Sequence, residues 1–131
     1  MQNPQNSKKT ARAVIIGIPF RNVEEAWFWF ICAVEARRDG AVPGRGRGAV
    51  PRPCEPNDIY VTLERLYRNR RLRMEHMHVL SHYGRRRMPP EYHRRHEARA
   101  ATLWREAMRE LDVMLQRRGI VRNPLQITEV L

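Results

Sequence analysis

The sequence predicts a mostly α-helical single domain of about four helices, with a possible helix-turn-helix in the second and third. Three observations carry that reading. Apolar residues recur at helical spacing in separate stretches up to a long C-terminal one, where the i, i+3, i+4 pattern runs without a miss. Strand candidates are confined to two short segments near the ends. The length, 131 residues, suits one domain that buries roughly two-thirds of its unfolded surface without metal or disulfide support.

Residues 1–12 read as a flexible polar arm, 13–123 as the helical domain and 124–131 as a tail. Val14 to Phe20 is β-branched and apolar, and the tail from Leu125 to Leu131 is the other strand candidate. Whether they pair stays open, because a lone two-stranded ribbon is marginal. The first helix starts from Asn22 as N-cap, carries Glu24 and Glu25 in its first turn, and reaches Arg38 with Gly40 just beyond. Val23, Ala26, Trp27, Phe30, Ile31 and Val34 form its stripe. Phe28 and Trp29 fall off it, so the helix is apolar nearly all round: either it is central to the fold, or it carries a second contact surface with these two as a candidate partner or homodimer interface.

Residues 40–56 form a linker in which Gly, Pro and Arg exclude a regular element, and Gly44 to Gly48 is expected to be mobile. Asn57 or Asp58 then caps a second helix to about Arg70, with Ile59, Leu63, Leu66 and Tyr67 inward. After a polar break at Arg71 to Arg73, a third helix runs from about Met74 to Tyr83 and stops at Gly84. A basic turn leads to the fourth, from about Arg94 to Arg118. Its core stripe is Ala100, Leu103, Trp104, Ala107, Met108, Leu111, Met114 and Leu115, with Gly119 as terminator.

Charge is the main functional signal. The net charge is +11, and arginine supplies 23 of the 25 basic residues. Between residues 65 and 105 twelve arginines face three acids. A genome bias explains arginine over lysine but not this clustering. The guanidinium fork matches phosphate and stacks on bases, so the partner expected is nucleic acid, duplex DNA before RNA. The contacts expected from the cluster are Arg68, Arg70, Arg71, Arg73, Arg85, Arg86, Arg87, Arg94 and Arg95. In a helix-turn-helix the third helix would add His76, Val79 and His82 at base edges, although the break has no glycine and histidine is an uncommon base reader. An αα-hairpin without a groove role is an equal alternative.

The remaining motifs point away from catalysis. His78 and His82, and His93 and His96, have spacings that permit metal binding, yet they lie in the most cationic stretch with no Asp or Cys to complete a set. No metal and no cofactor is expected. The Gly-Arg alternation from Gly44 to Gly48 follows no strand, so it is not a dinucleotide loop. No serine or cysteine stands beside a base and no carboxylates pair in an apolar setting, so the protein is read as not an enzyme. Cys32 and Cys54 make no disulfide framework and the longest uncharged apolar run, Ala26 to Val34, is too short for a bilayer, which together point to a cytoplasmic protein with no membrane partner. The expectation is a small DNA-binding regulator or accessory factor of bacterial or mobile-element type. The alternatives are a protein-interaction module built on the aromatic helix or an RNA-binding accessory protein.

Overall fold

A computed structural model describes residues 17–40 and 50–125. It places four α-helices there: α1 (Val23–Arg38), α2 (Pro56–Arg68), α3 (Met74–Arg86) and α4 (Ala98–Arg117), the last preceded by a 3-10 turn over Arg95–Glu97. The mostly α class holds, and no extended strand occurs among the described residues.

Local chemistry explains the helix ends. Asn22 caps α1, its Oδ1 accepting from the Glu25 N–H at 2.9 Å. At α2 the start moves upstream of the expected Asn57 or Asp58. Pro56 is pre-set for the first helical position, and Asp58 works from inside the first turn, accepting from the Glu55 N–H at 2.7 Å. In α3, Gly84 is a point of close approach rather than a stop. A Cβ there would lie 2.8 Å from Ile31 Cγ1 and from Trp27 Nε1, so its absence lets α1 and α3 come together. The Trp27 indole N–H uses that proximity to reach the Leu80 carbonyl at 3.0 Å.

Gly84→Ala therefore sets two effects against each other. The helix gains about 0.8–1 kcal/mol of propensity, while overpacking against an aromatic ring and an inner Ile carbon costs about 1–3 kcal/mol. Chemical denaturation is expected to show a net loss; a gain near the full propensity value would mean the two helices do not meet at Gly84.

Each of α2 and α3 packs on α1 and on α4, and α1 and α4 touch across the middle. Although consecutive in the chain, α2 and α3 do not pack closely on one another. The core lies at the centre of this arrangement, with Trp27, Phe30, Ile59, Leu80, Trp104 and Leu111 all buried. The expected α4 stripe is buried or packed against the core throughout, with Ala101 also buried.

The chain ends of the domain are tied by backbone. Phe20 forms an isolated parallel bridge with Val121, its N–H donating to the Ile120 carbonyl at 2.9 Å and its carbonyl accepting from Arg122 at 2.8 Å. Its partner thus lies just after α4, upstream of Pro124. The region 50–53, assigned by composition to a linker, is also engaged. Pro51 accepts from the Ile18 N–H at 2.8 Å, and the Arg52 guanidinium sits 4.3 Å from the centre of the Phe20 ring. Gly17 has no room for a Cβ, which would stand 2.3 Å from the Arg52 carbonyl carbon. The expected mobile segment Gly44 to Gly48, the arm 1–12 and most of the tail lie outside the described residues.

Candidate nucleic-acid interface

The turn between α2 and α3 builds a basic concavity. Arg70, Arg71 and Arg73 line an open cleft of about 280 Å³ together with His76 of α3 and Glu106, Arg109 and Glu110 of α4. Arg73 lies 3.8 Å from Glu75 and 4.0 Å from Glu106, contacts long enough to leave it available. Arg70, Arg71 and Arg109 are exposed and form no ion pair among the described residues. Glu106 is held below its ordinary pKa, first by its hydrogen bond with His76 and further by Arg73 and Arg99. The Arg99 hydrogen bond at 2.8 Å does the same for Glu75.

The conformation of Arg70 is unusual. All four α-helices in the described residues are followed within two positions by a residue with positive φ: Gly40 (84°), Arg70 (63°), Arg87 (53°) and Gly119 (74°). The hydrogen bonds after α2 match those after α4. The Arg70 N–H donates to Tyr67 at 3.1 Å and the Arg71 N–H to Leu66 at 2.8 Å, as Gly119 donates to Gln116 at 3.0 Å and Ile120 to Leu115 at 2.9 Å. Glycine is the usual residue at this position because a Cβ costs energy in the left-handed region. Two of the four termini carry arginine instead, and both lie in the basic stretch.

The structure separates the residues that the sequence grouped together. Arg71 and Arg73 precede α3, whereas Arg85, Arg86 and Arg87 follow or end it, so about 18 Å of helix axis lies between the groups. Several members are also engaged. Arg68 pairs with Glu64, and Arg94 stands between Glu91 at 3.1 Å and Glu97 at 3.6 Å. Arg87 donates from Nε to Cys32 Sγ at 3.0 Å and lies 3.7 Å from Glu35, while Arg86 leans over the Tyr83 ring. Arg95 is exposed.

His76 and Val79 are corrected. His76 is 4% exposed. Its Nδ1 accepts from the Arg73 N–H at 3.0 Å, capping α3, and its Nε2 meets Glu106 Oε1 at 2.9 Å. With Nδ1 accepting, the ring proton belongs on Nε2, which donates to the carboxylate. Such a ring cannot reach a base edge. Val79 is half-buried against the core, and only His82 is exposed, edge-on to Tyr83. Of the three expected base readers on α3, His82 alone therefore faces solvent. Phe28 and Trp29 change role as well. Phe28 stacks on Trp104 with centroids 5.8 Å apart, and Trp29 meets Phe20 at 5.1 Å, so both pack onto the core instead of forming a free interface.

Arg109 is the member that sequence reasoning passed over. It sits on the polar face of α4, and only the packing of α4 beside the α2–α3 turn brings it to Arg71 and Arg73. Among the described residues no group of three or more His, Cys, Asp or Glu is placed to hold a metal ion, and no helix is long and apolar enough to cross a membrane. Cys54 is pushed up to about 11, chiefly by burial, which makes it a poor nucleophile near neutral pH. No family model, curated protein or solved structure matches the chain.

Proposed function

We propose that the protein binds nucleic acid, duplex DNA by preference, gripping the phosphate backbone in the cleft of Arg70, Arg71, Arg73 and Arg109. One observation carries this reading: four exposed guanidiniums from two elements line one concavity, and three of them have no ion pair among the described residues. Of the two acids in the lining, Glu106 and Glu110, the first is hydrogen-bonded to His76, so the four arginines outnumber the acids two to one. With His76 buried and Val79 half-buried, two of the three expected base readers are withdrawn, which favours backbone contact over base readout, so discrimination between duplex sequences is expected to be small.

The test is fluorescence anisotropy with random duplex DNA, single-stranded DNA and double-stranded RNA across a range of salt. Four phosphate contacts release counterions with a log-log slope of about −3.6 on duplex DNA. Arg71→Gln with Arg73→Gln removes two contacts and is expected to flatten the slope by about two units for every sequence alike. Absence of duplex binding at low salt ends the proposal, and an unchanged slope in the double variant moves the contact surface away from this cleft.

A further inference from the structure

We infer that the groove between α1, α2 and α3 binds a monomeric long-chain carboxylate, a fatty acid with its head at the C-terminal end of α1. This site lies apart from the arginine cleft and does not depend on the nucleic-acid reading.

The groove exists because α2 and α3 each pack on α1 and α4 and do not pack closely on one another. The gap left over α1 has a volume of about 370 Å³, within the range of small-molecule pockets, about 300–1,000 Å³. Its floor is apolar and deep: Leu80 is 1% exposed, Trp27 3% and Phe30 6%. Its walls include Val34, Tyr60 and Met77.

One end of the groove is cationic. Contacts between α1 and α3 advance together along both chains, from Trp27 with Leu80, through Ile31 beside Gly84, to Cys32 and Glu35 with Arg87. The two helices therefore run in the same direction, and Arg38 and Arg85, in or next to their last turns, flank the same end. Neither forms an ion pair among the described residues. The acid in the lining, Glu35, is engaged through Oε2 by Arg87 at 3.7 Å, while its Oε1 is buried without a partner. Each helix C-terminus contributes about half a negative charge, less than the two free guanidiniums supply, so this end stays positive.

An apolar channel with charge at one end matches a single-chain amphiphile. From Trp27 to Arg38 the floor of α1 extends about 16 Å, which suits a medium or long alkyl chain lying lengthwise. A peptide helix fits less well. Its side chains need width along the whole groove, and the floor is already almost closed to solvent. The carboxylate would accept from both arginines, and the tail would cover the indole face of Trp27.

The experiment is a calorimetric titration of the full chain with laurate below its micellar concentration, beside dodecyl maltoside and dodecyltrimethylammonium as same-chain probes with neutral and cationic heads. Laurate is expected to bind with one-to-one stoichiometry and at least tenfold more tightly than either. Arg38→Gln with Arg85→Gln, both surface changes, is expected to reduce laurate to the level of the neutral probe. Val34→Trp, which fills the groove from its wall, is expected to abolish binding of laurate while the thermal melt stays cooperative. Equal binding of the three probes, or laurate binding unaffected by the two glutamines, overturns the inference. So does binding to anionic vesicles without saturable binding of monomeric laurate, which would assign the arginines to a membrane surface.

Discussion

Trp104→Ala is expected to destabilise the protein by about 4 kcal/mol. The indole lies at 4% exposure on α4 and is held from several sides. Phe28 stacks on it with centroids 5.8 Å apart, Tyr83 meets it edge-on at 6.3 Å, and its Nε1–H reaches Glu24 Oε1 at 3.4 Å. These partners come from α1 and α3, so truncation leaves a cavity where three helices meet, and neighbouring rings on separate helices collapse into it poorly. Domains of this size have a total stability of about 5–15 kcal/mol, so the variant should lose a large fraction of it and melt far below the parent. Urea denaturation measures the difference, with Arg105→Ala, an exposed α4 residue, as control. A loss no greater than the control's would mean α4 does not dock through this face.

Trp104 also shows which parts of the fold were legible in the sequence. The α4 stripe could be read because every third or fourth residue from Ala100 to Leu115 is apolar, over more than four turns, and the terminator Gly119 is local chemistry. For the same reason Asn22 and Gly40 bound α1 correctly. The parts that escaped depend on residues far away in sequence. Gly84 looked like a stop because a glycine after an apolar stretch usually is one; the ring of Trp27, more than fifty positions earlier, makes it a packing residue instead. Phe28 and Trp29 looked like a spare surface because α1 is apolar all round. The other reading of that pattern, a helix central to the fold, is the arrangement here, with Trp104 and Phe20 as their partners; only the partners, distant in sequence, decide between the two.

The candidate site was legible in composition and illegible in arrangement. Clustering of arginine between residues 65 and 105 points to the stretch that holds Arg70, Arg71 and Arg73 and leaves out Arg109, and linear position cannot tell that α3 holds two basic groups apart. Nor can it show that Glu91 and Glu97 engage Arg94 while Arg71 is left alone. His76 was misplaced because a histidine in a basic stretch was read as exposed, although its i, i+4, i+7 spacing with Leu80 and Tyr83 puts it on the inner face, where Glu106 on α4 and the Arg73 N–H hold it. The histidine supports the cleft by fixing the start of α3 and by holding Glu106 Oε1 at 2.9 Å, with Arg73 4.0 Å from the same oxygen. A buried ring with both nitrogens engaged is a structural part of the site, not a contact.

Arg70→Gly combined with Arg71→Gln and Arg73→Gln is expected to weaken duplex DNA binding at low salt by about a hundredfold or more while the folded state becomes more stable. The first effect follows from losing three of four phosphate contacts, which should also take the salt slope from about −3.6 to about −1. The second follows from the backbone. A side chain in the left-handed region costs about 1–2 kcal/mol, which glycine at φ 63° does not incur. Glycine's greater freedom in the unfolded chain offsets part of that relief, leaving a net gain of about 0.5–1 kcal/mol. Arg70→Ala separates the two effects, because it removes the guanidinium but keeps a Cβ in the same conformation, so binding should fall without the gain in stability. Opposite signs in the two readouts would exclude misfolding as the cause of lost binding. They would also mean that arginine is kept at this helix end for its reach toward the ligand, at a cost to the fold that Gly119 avoids at the end of α4. A triple variant that is no more stable than the parent would remove the strain from this account, and one that binds DNA undiminished would remove the cleft.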